Sequence, residues 1–184
     1  MSDNLRRDAR RNRERILAAA QRRVDAGEGD VPLNVIAAEA GVGVGTVYRH
    51  FPTQLELLAA MVHPSLVELQ TTMEELAEQG RPDAVEEAFK AAVRVFAERP
   101  EALVVVSSGE TAQHEASASL ATITTVLDRL IDDAVLAGRL RPDVTVEVLQ
   151  HLVCAVDYAA RLASDPKTAR TVHTEIALHG LHAR

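Results

Sequence analysis

Between Gly41 and Phe51 the chain reads Gly-Val-Gly-Val-Gly-Thr-Val-Tyr-Arg-His-Phe. Thr46, Tyr48, Arg49 and His50 place four hydrogen-bonding side chains within five positions. Hydroxyl, phenol, guanidinium and imidazole groups in such a run can bond phosphate oxygens and base edges. Val47 and Phe51 stand four apart, so they share the other, inward face of a short helix. Gly43 and Gly45 keep the head of that helix slim, and a helix start favours nearby phosphate. Just upstream, Ile36 to Ala40 carries a second short apolar face, and Gly41 permits a tight turn. Two short helices meeting at a glycine turn, with inward anchors and outward polar groups, are what a helix-turn-helix needs in a major groove.

The elements that hold this run are set by punctuation residues. A first helix is expected over about 10–26, with Ile16, Leu17, Ala20 and Val24 on one face, ended by Gly27 and Gly29. Pro32 allows a second helix bearing Leu33, Ile36, Ala37 and Ala40. A third covers Val44 to His50. Thr53-Gln54-Leu55-Glu56 reads as a capping box that starts a fourth. Pro64 lacks the N–H of a mid-helix bond, and Ser65 to Glu68 would be another capping box, so that helix either kinks or stops and restarts. Asp83 to Glu86 is expected to cap a helix ending near Arg99, and Pro100 to open a short one to Ser107. The span Gly109 to Ala116 reads as a loop. A long helix follows and closes at Gly138. Pro142-Asp143 is expected to start the next, over 143–163, and Asp165-Pro166 the last, over 166–182. No segment alternates with period two, so the fold class is all-α, with about nine helices.

Composition agrees. Hydrophobic residues make up 47% and aromatics 3% of the 184 residues, a balance that supports a helical core. The net charge of −7 argues against a protein that coats nucleic acid. The charge is unevenly spread: residues 1–23 carry eight Arg and a net +5, whereas residues 64–184 carry −8. One end can meet phosphate while the bulk is repelled by it; the other reading is a solvated, partly disordered basic tail. Cys154 is the single cysteine, which excludes an intramolecular disulfide and fits a reducing cytoplasm. No secretory leader or membrane span is expected, since the apolar runs Ile16 to Ala20 and Ala102 to Val106 are too short.

The run Ile36 to Val42, then Gly45-Thr-Val-Tyr-Arg-His-Phe-Pro-Thr, then Leu57-Leu58, resembles the TetR family of transcription regulators, and Arg13 to Ala20 fits that family's first helix. The resemblance covers about residues 8–62. It implies a three-helix DNA-binding domain within 1–52 with a basic tail, a connecting helix over 53–80, and a larger helical effector-binding and dimerisation domain over 81–184. It implies that Thr46, Tyr48 and His50 touch DNA backbone or base edges, with Gly45 among them. Arg49 would face phosphate or base, and Thr53 a phosphate. Arg13 and nearby arginines would reach flanking phosphates. The partners so implied are a double-stranded palindromic operator, a second copy docked through the last two long helices, and a small-molecule effector. The protein would be a repressor, not an enzyme, with no cofactor. Gly43 and Val44 replace the polar and basic residues many members carry, Gln54 a common lysine, and Val24 a common phenylalanine.

Beyond the head the residues leave more open. Phe89 and Phe96 are core or effector-pocket wall, which overlap in this family. Ser107, Ser108, Thr111, Gln113 and His114 offer polar groups to a pocket or to a solvated loop. His151, Cys154 and Tyr158 share one helix face, for a dimer interface or for ligand contact. Phe89, Phe96, Ser107, Thr111 and Tyr158 are the effector-pocket candidates. His173, His179 and His182 lack converging partners, so no metal site is expected.

Overall fold

The computed structural model describes residues 2–28, 32–108 and 115–183, with the side chains of 2–5 and 115 left aside. Among these residues there are nine helices and no strand: α1 (Ser2–Asp25), α2 (Leu33–Ala40), α3 (Val44–His50), α4 (Gln54–Gln79), α5 (Ala84–Glu98), α6 (Glu101–Ser107), α7 (Glu115–Leu136), α8 (Val146–Arg161) and α9 (Pro166–Leu181). Helices α1 to α3 pack on one another as the helix-turn-helix head. Helix α4 touches α1 and also packs along α5, α6 and α7, so one rod joins the head to the helical body. Helices α8 and α9 pair with each other, and α8 covers α5.

The head core follows the apolar periodicity. Ile16, Ala19 and Ala20 of α1 meet Leu33, Ile36, Ala37 and Ala40 of α2, with Val47 and Phe51 beneath, and all are buried. Helix α2 ends in a Schellman arrangement: Val42 N donates to Ala37 O at 3.0 Å and Gly41 N to Ala38 O at 3.2 Å. Gly41 has φ +62°, and a Cβ placed there would stand 2.7 Å from Arg15 Nη2. The positive φ favours glycine at this turn, and a larger residue would also have to push the Arg15 guanidinium aside.

Several helix boundaries differ from expectation. Helix α1 begins at Ser2, so the basic segment is helical and not a disordered tail. Helix α4 is continuous through Pro64 and does not restart at Ser65. Pro64 is exposed, so its ring lies toward solvent. Thr53 does cap α4, accepting from Glu56 N at 3.2 Å. Asp83 makes no cap bond; its carboxylate accepts from Arg81 Nε at 2.9 Å. Asp143 is likewise held by Arg141 Nε at 2.9 Å, and α8 starts three residues later, capped by Thr145. Asp165 caps α9 ahead of Pro166, accepting from Thr168 N at 3.2 Å. Ala116 belongs to α7 and is fully buried, not in a loop.

Candidate nucleic-acid interface

Helix α3 presents the polar run outward. Val47 is fully buried and anchors it, while Tyr48 and Arg49 are exposed and Thr46 and His50 are half-buried. Gly43, Val44 and Gly45 at its start are exposed, and a Cβ on Gly45 would meet nothing within 4 Å. The head of the helix is therefore narrow and open, with bulk placed only further along.

Arg49 folds back on its own helix. Its Nε donates to Gly45 O at 3.0 Å and its Nη2 to Thr46 Oγ1 at 3.2 Å. Both bonds are exposed, and such bonds contribute little against water, so a phosphate or base can displace them at small cost. Thr53 spends a lone pair on the Glu56 N–H, which leaves its hydroxyl proton available to a phosphate oxygen. His50 lies 6.2 Å from Phe51, ring centre to ring centre. Burial, then the charges of Arg13 and Arg49, push its pKa below the usual imidazole value. At neutral pH it is an uncharged ring beside two cations.

Arg13 reaches the same end of α3 from α1, with its guanidinium carbon 5.4 Å from the Phe51 ring centre. The other arginines divide into two groups. Arg22 and Arg23 are spent inside the head: Glu39 accepts from Arg22 Nε at 2.9 Å and from Arg23 Nε at 2.6 Å. This pairing holds the Glu39 carboxyl below its ordinary range, and Glu28 takes the rest of Arg23. Arg15 Nη2 donates to Gly41 O at 3.2 Å and so braces the turn. Arg6, Arg7, Arg10 and Arg11 stand exposed ahead of Ile16, the first buried side chain among the described residues.

Family comparison decides what this head belongs to. Residues 58–183 match the model described as "Transcriptional regulator SbtR-like, C-terminal domain". Residues 16–61 match that of "Bacterial regulatory proteins, tetR family". The chain belongs to the TetR family. It is a DNA-binding transcription regulator and not an enzyme. An HTH-type transcriptional regulator of Staphylococcus aureus is 38% identical over 63 residues, 34% of each chain, so the match spans about a third of that relative. A TetR transcriptional regulator of Streptomyces coelicolor is 28% identical, with 93% of this chain and 98% of that one covered at a TM-score of 0.55. FadR of Thermus thermophilus, a TetR family repressor solved with lauroyl-CoA, is 20% identical over 91% of each chain at a TM-score of 0.56, a likeness of fold alone.

In the body of this TetR-family chain lies an apolar cavity of about 60 Å³. Leu66, Leu69 and Met73 of α4, Phe96 of α5, Val106 of α6 and Val153 of α8 are among its walls, and Gln150 brings the one polar side chain. Of the described residues among those proposed from sequence, Phe96 alone lines it. Phe89 is buried in the core two helical turns from Phe96 and outside the cavity wall, and Ser107 and Tyr158 are exposed on the surface. Thr111, with Gln113 and His114, lies outside the described residues. Gln150, Leu66 and Met73 were not picked out from sequence; apolar residues at helical spacing look the same whether they line a void or fill a core. Among the described residues no group of three or more His, Cys, Asp or Glu is placed to hold a metal ion, and no helix is long and apolar enough to cross a membrane.

Proposed function

We propose that this regulator is a homodimeric repressor that grips a palindromic operator and is released by an apolar small molecule. The observation that carries it is the pairing of an open α3, whose Tyr48, Arg49 and Thr53 are exposed, with an apolar cavity reached by the same α4 that Thr53 caps. The DNA contacts are Arg13, Gly45, Thr46, Tyr48, Arg49, His50 and Thr53. Residues 1–52 form the reading head, 53–80 the connecting helix, and 81–184 the effector-binding and dimerisation part. The setting is the cytoplasm.

The dimer face is read from α8 and α9. Val148 and Tyr158 on α8, Leu162 at its C-cap, and Val172 and Ile176 on α9 are exposed apolar side chains at helical spacing. A monomer has little reason to expose such a stripe on its last two helices, and a second copy docked there buries it. Two heads then meet successive major grooves about one helical turn apart.

The cavity is small beside the roughly 300 Å³ or more of an ordinary ligand site. A ligand of even modest size must spread α4, α5, α7 and α8 to enter. It therefore binds the spread state better, and that difference in affinity is what moves the equilibrium away from the DNA-competent form. Cavity walls Leu66, Leu69 and Met73 lie on α4 itself, so spreading them tilts the rod that carries the head.

In vitro selection of bound duplexes from a random pool tests this reading. A palindromic site bound by the unaltered chain, and lost in a Thr46→Ala/Tyr48→Ala/His50→Ala variant, is the expected result. Equal binding by the variant overturns the assignment of the DNA face. Repeating the selection with a series of straight-chain fatty acids tests release.

A further inference from the structure

Of Gly43, Val44 and Gly45, which lead into α3, Val44 alone carries a side chain beyond the backbone, and it is 45% exposed. We propose that Val44 reads one thymine in each half of the operator, by packing its isopropyl group on the C5-methyl of that base. This rests on the assignment of α3 as the reading helix and gives a base to a residue outside the contacts named above.

Nothing in the head accounts for an apolar group at this place. Among the side chains described in α1 to α3, the large apolar ones are buried or half-buried, Val44 and Tyr48 excepted. These two are four apart, so they lie side by side on one edge of α3. Val47 is fully buried and fixes the rotation of the helix, which keeps Val44 on the outward side. An apolar group held in water gains by meeting another apolar surface.

The leading turn leaves Val44 room to make that contact. A Cβ on Gly45 would meet nothing within 4 Å, and one on Gly43 would meet only Thr46 Oγ1, at 3.8 Å. Neither glycine adds a side chain that would hold the helix off a base edge. Residues 43–45 also bring no side-chain donor or acceptor. Thr46 and Arg49, which do, lie about 140° to 160° round the helix from Val44. Recognition helices meet base edges with their N-terminal residues, and Val44 is the first residue of α3.

The base follows from what each major-groove edge offers. Guanine shows two acceptors, cytosine a donor, and adenine an acceptor and a donor; thymine shows an acceptor beside a methyl group. An isopropyl group pressed on any of the first three cuts polar atoms off from water and gives them no partner. On thymine it covers a methyl instead. Val44 therefore selects thymine both by the contact it makes and by the bases it cannot satisfy.

Uracil lacks that methyl and is otherwise the same base, which gives the test. Each thymine of the selected operator is replaced by deoxyuridine in turn, at the matching place in both half-sites. Binding is read by fluorescence anisotropy for the unaltered chain, Val44→Ala and Val44→Ile. The expected result is one thymine per half-site at which the unaltered chain binds about 4-fold more weakly per head, or about 15-fold for two heads, the worth of one buried methyl. Val44→Ile should keep that penalty. Val44→Ala should lose most of it, because both changes remove the same contact. A thymine touched by another residue keeps its penalty in Val44→Ala and serves as the internal control. Val44 is exposed, so the three chains should fold alike, as circular dichroism will show. Absence of a uracil penalty at every thymine overturns the proposal and leaves the DNA-binding reading standing. Full retention of every penalty in Val44→Ala does the same. An unaltered chain that binds no duplex overturns the DNA-binding reading itself, and the role of Val44 with it.

Discussion

Arg99, at the corner between α5 and α6, donates from Nη1 to the Gln21 side-chain oxygen of α1 at 2.6 Å. It thereby ties the reading head to the body at a second point besides α4. The same Nη1 lies 3.7 Å from Glu101, whose carboxylate is buried and has no hydrogen-bond partner. One guanidinium thus serves two elements, and the two are not equal. Removing Gln21 leaves Arg99 free to close on Glu101, and the loss is one hydrogen bond, about 1 kcal/mol. Removing Arg99 leaves a buried carboxylate uncompensated, which costs about 3 kcal/mol. Gln21→Ala is therefore expected to be mild and Arg99→Ala severe when unfolding is followed in urea. A pair of equal losses would show that Glu101 draws nothing from Arg99. Adding Glu101→Gln to Arg99→Ala should recover most of the stability.

Gly41 and Gly45 separate folding from recognition. At Gly41 a Cβ meets the Arg15 guanidinium and demands a strained φ, so Gly41→Ala should destabilise by about 1 to 3 kcal/mol and weaken DNA binding along with it. At Gly45 there is open space and ordinary helix. Gly45→Ala should leave stability unchanged or raise it by up to about 1 kcal/mol, through helix propensity. Its added methyl stands on the exposed start of α3, so operator affinity should still fall. Thermal melting beside anisotropy titration reads both; unchanged affinity in Gly45→Ala would remove this surface from the interface.

The limits of sequence reading show at two matched places. Asp83 and Asp143 each look like a helix cap, and both are claimed by an arginine two residues upstream, across a proline: Arg81-Pro82-Asp83 and Arg141-Pro142-Asp143. Two bonds from a guanidinium fork outweigh the single backbone N–H of a cap, so the local pattern for a cap is overruled by its neighbour. The repeated Arg-Pro-Asp spelling was the signal to read. Thr53, Thr145 and Asp165 have no such competitor and do cap their helices. The head was legible because turn, anchors and polar face all fall within sixteen consecutive residues, 36–51. The cavity was not, because it depends on where along their lengths α4, α5, α7 and α8 fail to close on one another. Phe96 lines it and Phe89, two turns earlier on the same face of the helix, does not.

The buried carboxylate of Asp157 offers a test of the body. It accepts from Arg161 Nε at 2.7 Å and from Arg170 Nη2 at 3.3 Å, and Arg161 in turn donates to Phe96 O at 3.2 Å. This node joins α8, α9 and the end of α5 beside the cavity wall. Asp157→Asn keeps the shape and removes the charge, leaving two cations uncompensated. A loss of about 3 kcal/mol is expected by denaturant titration. Arg170→Ala should cost less, since Arg161 still satisfies the carboxylate, and a loss equal to that of Asp157→Asn would contradict this order.

His50 gives two pH dependences of opposite sign. Its pKa in the free protein is lowered, chiefly by burial and then by Arg13 and Arg49. The native state thus holds the proton less well than the unfolded chain. The stability His50 contributes is present in full above the unfolded value of about 6.5 and declines as pH falls through it, down to the lower native value. DNA reverses the balance, because a nearby phosphate favours the imidazolium and offsets the two arginines. Binding then takes up a proton, and affinity should rise as pH falls from about 8 to about 6, by no more than about tenfold per pH unit per head. His50→Gln keeps an N–H donor for the phosphate and cannot titrate. It should bind comparably at high pH and lose both slopes, in anisotropy titrations and in denaturation alike. Retention of the affinity slope in His50→Gln would assign the proton to another group and remove His50 from the phosphate contact.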